Sequence, residues 1–525
     1  MATYDNKTDM DKKVHLDVNS HSSSEKIENV ETSKTIDTAQ LHELSAIEQC
    51  AASRGAWLII LVTIGTSLGH ELTSSEQELV TSLTSGGAFV GAICAGLTAD
   101  RFGRKMPIWA ACIVFVIGTV LQTAAYSVAQ FAVGRFVVGL GVGSAAMICP
   151  LYISELAPAK YRGRMVAFNN MSVTFGQLFA SALGAGFAHV KGEGWRATVG
   201  VGALPAILLA GLLFTCPESP RQLVAHGKLD QAEKILLRLY PGSTEQQRRA
   251  KMSSIELSIQ QATETMVDDS LWKTFKSIFT NMATLRAVGT ACVIMGMSQF
   301  SGFNTLMYYS ATLFKIVGFN NPTAVAIAVA GANFVFSALL IVVVDRFGRR
   351  TILLVTVFGM FTCLTIAAVA FSYIPIDLHT LEVTSDQIGW PAYLLIAMII
   401  IFIAFYASGI ATIAWIGTEF IPMEVRAVGT MLNTATCWST NIIVASTFLS
   451  MMKGITPSGA FGFYAGLMFV GWIFVIFCFP EVKGMPLEAV REVFENGFGV
   501  KYANKWQKEN REFAKMNAQG PAFGH

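Results

Sequence analysis

GLTADRFGRK, residues 96–105, is a knot of charge set between two long apolar runs, and VDRFGRR, residues 344–350, repeats it. Two further features come in pairs. SELAPAKYRGR (154–164) places Pro158 three positions after Glu155 and Arg162 four beyond that, and TEFIPMEVRAV (418–428) does the same with Glu419, Pro422 and Arg426. PESPR (217–221) has a looser counterpart in PEVKG (480–484). Each set falls after the second, fourth and sixth apolar segment of its half. The charged turn recurs because a whole half of the chain recurs.

Composition says what kind of half this is. The chain has 525 residues, 53% apolar and only 14% charged, with a mean hydropathy of +0.49. A soluble protein carries about 25% charged residues. This is the profile of a polytopic membrane protein, since a spanning helix needs about 20 apolar residues. Full-length spans read at about 79–99, 106–127, 129–150, 165–188 and 198–216, then 286–314, 323–344, 351–374, 392–418, 428–452 and 459–479. A shorter run at 56–69 precedes them and brings the count to twelve. The expectation is an all-α membrane protein: a disordered polar tail (1–55), a first membrane half (56–216), a loop with amphipathic helices (217–285), a second half (286–480) and a C-terminal tail (481–525).

Lys and Arg cluster in alternate loops, including the whole central one, which places that side in the cytosol, and both termini with it provided the short run at 56–69 crosses. In the central loop LDQAEKILLRLY sets Ala232, Ile235, Leu236 and Leu239 on one helical face, with Asp230 as cap. PLEAVREVF reads as another amphipathic helix beyond the last span. The nine cysteines show no C-x-x-C or metal spacing and read as small buried hydrophobes. No secretory signal, catalytic constellation, metal site, cofactor site or nucleic-acid surface is expected. GLGVGS lies inside a span and lacks the Lys of a phosphate loop. Gly139 and Gly143, at small-xxx-small spacing, predict close helix packing.

Paired halves are the architecture of alternating-access carriers. The motifs are similar to those of the sugar porter family of the major facilitator superfamily: GLTADRFGRK, PLYISELAPAKYRGR, PESPR, QFSGFNTLMYYSATLF, DRFGRR, TEFIPMEVRA and PEVKG, in that order, over about 79–495. FYASGIATIAW and NIIVASTFLSMMKGITPSGAFGFYAGL resemble spans 10 to 12 of fungal-type myo-inositol carriers. So does the spacing from Trp415 to Glu419. The resemblance implies a major facilitator fold of two six-helix halves and a plasma-membrane carrier of a polyol or sugar. The expected substrate is myo-inositol, moved with a proton through the lipid bilayer. Rival readings are a proton-independent hexose facilitator and a non-transporting nutrient receptor on the same scaffold.

Polar groups at mid-depth are the candidates for the substrate, because leaving them unsatisfied there costs several kcal/mol. Gln177, Gln299, Asn304 and Asn333 meet that description. An amide offers both donor and acceptor, as a sugar hydroxyl requires. One such amide alone serves equally well to join helices; the resemblance implies that these positions are ligands. Trp415 and Trp438 are expected to stack on the substrate, and Tyr308 with Tyr309 to close the outer side. Ser298 and Cys437 depart from the family, which often has Gln at both positions. The resemblance further implies that Asp100, Arg101, Arg104, Glu155, Arg162, Glu218, Asp345, Arg349, Glu419 and Arg426 form salt bridges that latch a cytosolic gate.

The short run at 56–69 lacks the Gly-Tyr-Asp-Thr-Gly-like stretch whose Asp the family uses for proton coupling. Fourteen residues of helix reach about 21 Å, short of a hydrocarbon core of about 30 Å. Arg135 is the one ionisable residue well inside a span, and in the family its counterpart lies near that Asp. The expectation is a proton-coupling Arg135 whose acidic partner is missing because about ten residues are absent from the first span; the alternative is a real short, tilted or water-exposed first helix with no proton coupling by this route.

Overall fold

A computed structural model describes residues 74–518 apart from 158–161, 188–193, 241, 266–270, 308–321, 375, 378–381, 384–388, 423–424, 484, 486–491 and 496. The N-terminal tail, the short run at 56–69, and most of the helix expected in PLEAVREVF lie outside the described residues.

The first half consists of α1 (Ser74–Phe102), α2 (Lys105–Thr123), α3 (Val128–Leu156), α4 (Arg162–Phe187) and a broken span, α5 (Gly194–Val201) with α6 (Ala203–Leu212). The linking segment holds α7 (Pro220–Ala225), α8 (Leu229–Leu239), α9 (Glu245–Thr265) and α10 (Leu271–Thr280). The second half follows with α11 (Met282–Phe300), α12 (Pro322–Phe347), α13 (Arg349–Ser372), α14 (Trp390–Ala407), α15 (Ile410–Ile416) and α16 (Arg426–Cys478), and α17 (Val500–Ala518) closes the chain. Among the described residues, strands amount to one two-residue antiparallel pair, Ile376–Asp377 with Glu382–Val383, between α13 and α14. Among the described residues, all eleven full-length spans read from the sequence are helical. Two of them are fused in α16, which is non-helical at Ile455 and at Thr456, where φ is +70°. Pro457 follows that break and cannot donate to the preceding turn.

Seven described helices are long and apolar enough to cross a membrane, or eight when α10 and α11 are joined across their 98° bend. The eleven segments exceed this count at three helices: α16 contains two spans, α4 spends apolar length on Asn169, Asn170 and Gln177, and α12 contributes a shorter apolar stretch, Ile327–Val342, among the described residues. The most apolar window of α3 is 78% buried, against 22% for α5 with α6. α3 is therefore a central helix of its half, and α5–α6 presents Leu204, Ile207 and Leu208 outward, where lipid replaces water as solvent.

Close approach of α1 and α3 depends on glycine. A Cβ on Gly139 would stand 2.2 Å from the Thr84 carbonyl oxygen, and one on Gly143 only 1.8 Å from that of Ala88. The small-residue spacing in α3 does what the sequence predicts. In the linking segment α8 buries Ala232, Leu236 and Leu239, as its periodicity requires. Asp230 is not its cap: the helix begins at Leu229, Lys228 occupies the N-cap without a side-chain bond, and Asp230 lies in the first turn.

Candidate functional site

The elements surround a cavity of about 110 Å³ between the two halves. A water needs about 10–15 Å³ measured this way, so the space holds several water-sized groups. Val142 and Ala146 of α3, and Asn170, Thr174 and Gln177 of α4, line it from the first half. The three α4 residues follow i, i+4, i+7 spacing and share one helical face. Ser298, Gln299, Phe303, Asn304, Asn333, Tyr406, Trp415, Cys437 and Trp438 line it from the second. Among the described residues, none that lines it is charged.

Breaks in the helices aim these groups. α11 ends at Phe300, and Gly302 takes φ +80° before a further helical turn begins at Phe303. A side chain at Gly302 would press against the Tyr464 ring at 3.2 Å. The break brings Asn304 back onto Gln299, whose Oε1 accepts from Asn304 Nδ2. The same oxygen accepts from Asn441 Nδ2 at 3.0 Å. A second break at Gly409, between α14 and α15, separates Tyr406 from Trp415. Tyr406 stacks on Phe303 with ring centres 3.9 Å apart, and its hydroxyl lies 3.4 Å from Ser298 Oγ.

Two hydrogen bonds cross between the halves along the wall. Asn333 Nδ2 donates to Gln177 Oε1 at 2.9 Å, and Asn170 Nδ2 donates to Thr412 Oγ1 at 2.7 Å. Two buried polar atoms of lining residues lack a hydrogen-bond partner: the acceptor Asn333 Oδ1 and the donor Trp438 Nε1. Leaving each unpaired costs about 1–3 kcal/mol, so both call for a group with donor and acceptor capacity in the cavity.

Of the residues expected to meet a substrate, Gln177, Gln299, Asn304, Asn333, Trp415 and Trp438 all border this one space. Tyr308 and Tyr309 lie outside the described residues. Ser298 and Cys437, the two departures from the family, also line it. Sequence reasoning missed Asn170, Thr174, Tyr406 and Asn441. The signal for the first two was their place one and two turns before Gln177. Tyr406 and Asn441 were visible only as polar tips in apolar runs.

The charged turns build two matched frames. In the first, Gly103 has φ +81°, and Glu218 accepts from the backbone N–H of Arg104 at 3.0 Å and of Lys105 at 3.4 Å. Lys105 Nζ donates to the Cys216 carbonyl at 2.8 Å. In the second, Gly348 has φ +86°, Glu481 accepts from the Arg350 N–H at 2.9 Å, and Arg350 Nη2 donates to the Ile476 carbonyl at 2.8 Å. Arg104 also grips Glu155 through Nε at 3.2 Å and Nη2 at 2.8 Å, with both side chains 5% exposed. That pair ties α3 to the turn before α2, inside one half. Arg101 is exposed, Arg349 half-buried, and Arg426 buried beside Ser154, Trp415, Thr418 and Thr430. The side chains of Asp100, Arg162, Asp345 and Glu419 lie outside the described residues. Arg135 is 3% exposed in α3, and its Nε donates to the Val80 carbonyl at 3.4 Å. The segment expected to hold its acidic partner is also outside the described residues.

Comparison with known proteins places this geometry. The profile of the Sugar (and other) transporter family matches residues 10–494. The chain is 41% identical to Myo-inositol transporter 1 of Candida albicans over 88% of its own length and 83% of the relative's. It is 40% identical to Myo-inositol transporter 1 of Saccharomyces cerevisiae over 86% of this chain and 78% of that one. Its fold matches that of the proton:xylose symporter XylE bound to 6-bromo-6-deoxy-D-glucose, with a TM-score of 0.75 at 22% identity, covering 87% of this chain and 99% of that chain.

Proposed function

The chain belongs to the Sugar (and other) transporter family, multi-pass membrane carriers of sugars and polyols rather than enzymes, and from that premise we propose that it moves myo-inositol together with a proton across the plasma membrane. The observation that carries the reading is the cavity wall. Among the described residues it is uncharged, built of amides, hydroxyls and indoles, and it leaves one buried acceptor and one buried donor unpaired, at Asn333 and Trp438. A neutral solute bearing hydroxyls on every carbon satisfies both atoms at once, because each hydroxyl donates and accepts. An anionic or cationic solute would enter a wall with no countercharge.

In this reading Gln177, Gln299, Asn304 and Asn333 hold substrate hydroxyls. Trp415 and Trp438 cover the C–H faces of the ring, and Tyr308 closes the outer side. Gln177 and Asn333 reach the substrate from opposite halves, so the bound polyol takes over bonds that the two amides otherwise make to each other. That exchange gives the substrate a differential affinity for states in which the halves sit differently, which alternating access requires. Proton coupling is supported by Arg135, a buried cation inside a span. Arg104, Glu155, Glu218 and Arg349, together with Asp100, Arg101, Arg162, Asp345, Glu419 and Arg426, form the cytosolic gate.

Uptake of radiolabelled myo-inositol in a host without its own carriers tests the substrate. Collapse of the pH gradient tests the proton: accumulation stops if the carrier is a symporter and persists if it is a facilitator.

A further inference from the structure

Ser85 lies on α1, 1% exposed, and its Oγ donates to Asn441 Oδ1 on α16 at 2.7 Å. Asn441, itself 1% exposed, passes the sense of that bond on: its Nδ2 donates to Gln299 Oε1 at 3.0 Å. Gln299 Oε1 also accepts from Asn304. An amide carbonyl has two lone pairs, and those of Gln299 are both engaged. The amide nitrogen is then the group that Gln299 offers to the cavity it lines.

This order depends on the hydroxyl at its start. An asparagine side chain turned by half a revolution exchanges its oxygen and nitrogen. Such a turn would set Asn441 Oδ1 against Gln299 Oε1, two acceptors facing each other. The Ser85 hydroxyl disfavours it by holding Asn441 Oδ1 on the α1 side. Ser85 belongs to the first half and the other three residues to the second. The bond therefore exists only while α1 and α16 meet at this depth.

We propose that Ser85 is a positioning residue for the substrate site: through Asn441 it fixes which face of the Gln299 amide meets the polyol, and it does so only when α1 is closed on α16. The inference rests on the polyol reading of the cavity. Ser85 touches no substrate. It makes the affinity of one half depend on the position of the other.

The test is the KM and Vmax of myo-inositol uptake in Ser85→Ala, Ser85→Thr, Asn441→Leu and the double variant Ser85→Ala/Asn441→Leu, each corrected for surface expression. Loss of one buried hydrogen bond corresponds to a KM rise of about tenfold in Ser85→Ala. Vmax should change far less, and Ser85→Thr, which keeps the hydroxyl, should restore KM. The double variant should match Asn441→Leu alone, because Ser85 acts only through Asn441. Wild-type KM in Ser85→Ala, or additive effects in the double variant, would overturn the proposal. If Ser85→Ala does not reach the membrane, Ser85→Cys keeps the volume with only a weak donor and is read the same way. Should the wild type itself not carry myo-inositol, the polyol reading fails instead, and the two failures are told apart.

Discussion

The two halves share a frame and differ in the pocket they build on it. Gly103, Lys105 and Glu218 find their counterparts in Gly348, Arg350 and Glu481, down to the backbone N–H that each carboxylate accepts and the carbonyl that each cation reaches. Among the described residues the cavity wall shows no such symmetry. The first half supplies Asn170, Thr174 and Gln177, whereas the second supplies three amides, two indoles, Tyr406 and Ser298. What is repeated holds helix ends in place, a task both halves share. What is not repeated is the lining of the cavity, which in the proposed reading selects the polyol.

The largest effect that would break this division lies in the second half. Gln299→Ala removes the acceptor of two buried amide donors as well as a group facing the cavity. Uptake should be abolished with expression and membrane insertion intact, as a transport assay paired with surface labelling would report. Normal kinetics would remove Gln299 from the site and leave the asymmetry without its main residue.

Next comes the frame. Arg104→Ala strands Glu155 in a 5% exposed position, and breaking a buried pair in this way costs about 3–5 kcal/mol. The loss should appear as a lower unfolding temperature in detergent, with myo-inositol KM in the surviving protein little changed. A variant that kept its thermal stability and lost affinity would place the frame in the substrate site.

A matched pair sharpens the comparison further. Gly103→Ala and Gly348→Ala each force a side chain onto backbone of positive φ, at about 1–3 kcal/mol. A Cβ at Gly348 would also stand 2.5 Å from Glu481 Oε2, against 3.2 Å between Gly103 and Glu218 Oε2. Gly348→Ala should therefore lower the unfolding temperature more than Gly103→Ala. The reverse order would mean that the two frames are less alike than their bonds indicate.

The smallest effect concerns selectivity. Ser298 and Cys437 line the cavity where the family often has Gln. Ser298→Gln and Cys437→Gln should each move the ratio of myo-inositol to glucose uptake towards glucose by a few-fold, since one neutral hydrogen bond is worth about 0.5–1.5 kcal/mol. An unchanged ratio in the double variant would take specificity away from these two positions.

The sequence was readable where its physics is local or repeated. Apolar length located eleven helices, Gly139 and Gly143 foretold the contact of α3 with α1, and recurrence of the charged turn exposed the halves before any coordinates. Gln177, Gln299, Asn304 and Asn333 stood out because an amide inside a span needs a reason. Partnership was not readable. Nothing in the order of residues says that Asn441 bonds Gln299, that Tyr406 lies on Phe303, or that Arg104 pairs with Glu155 inside its own half. These contacts join segments distant in the chain and follow from helix rotation and from the breaks at Gly302 and Gly409. The cap at Asp230 failed for a similar reason, since the α8 face that buries Ala232 and Leu236 belongs to a helix starting two residues earlier than the local signal.

The central claim, that an uncharged cavity with two unpaired buried polar atoms takes a neutral polyol, is tested most directly by uptake of radiolabelled myo-inositol against labelled glucose in cells lacking their own carriers. The account predicts saturable myo-inositol uptake that unlabelled myo-inositol blocks and glucose competes with only weakly, lost in Gln299→Ala. Uptake of glucose in preference to myo-inositol, or of neither while the protein stands folded at the cell surface, would contradict it.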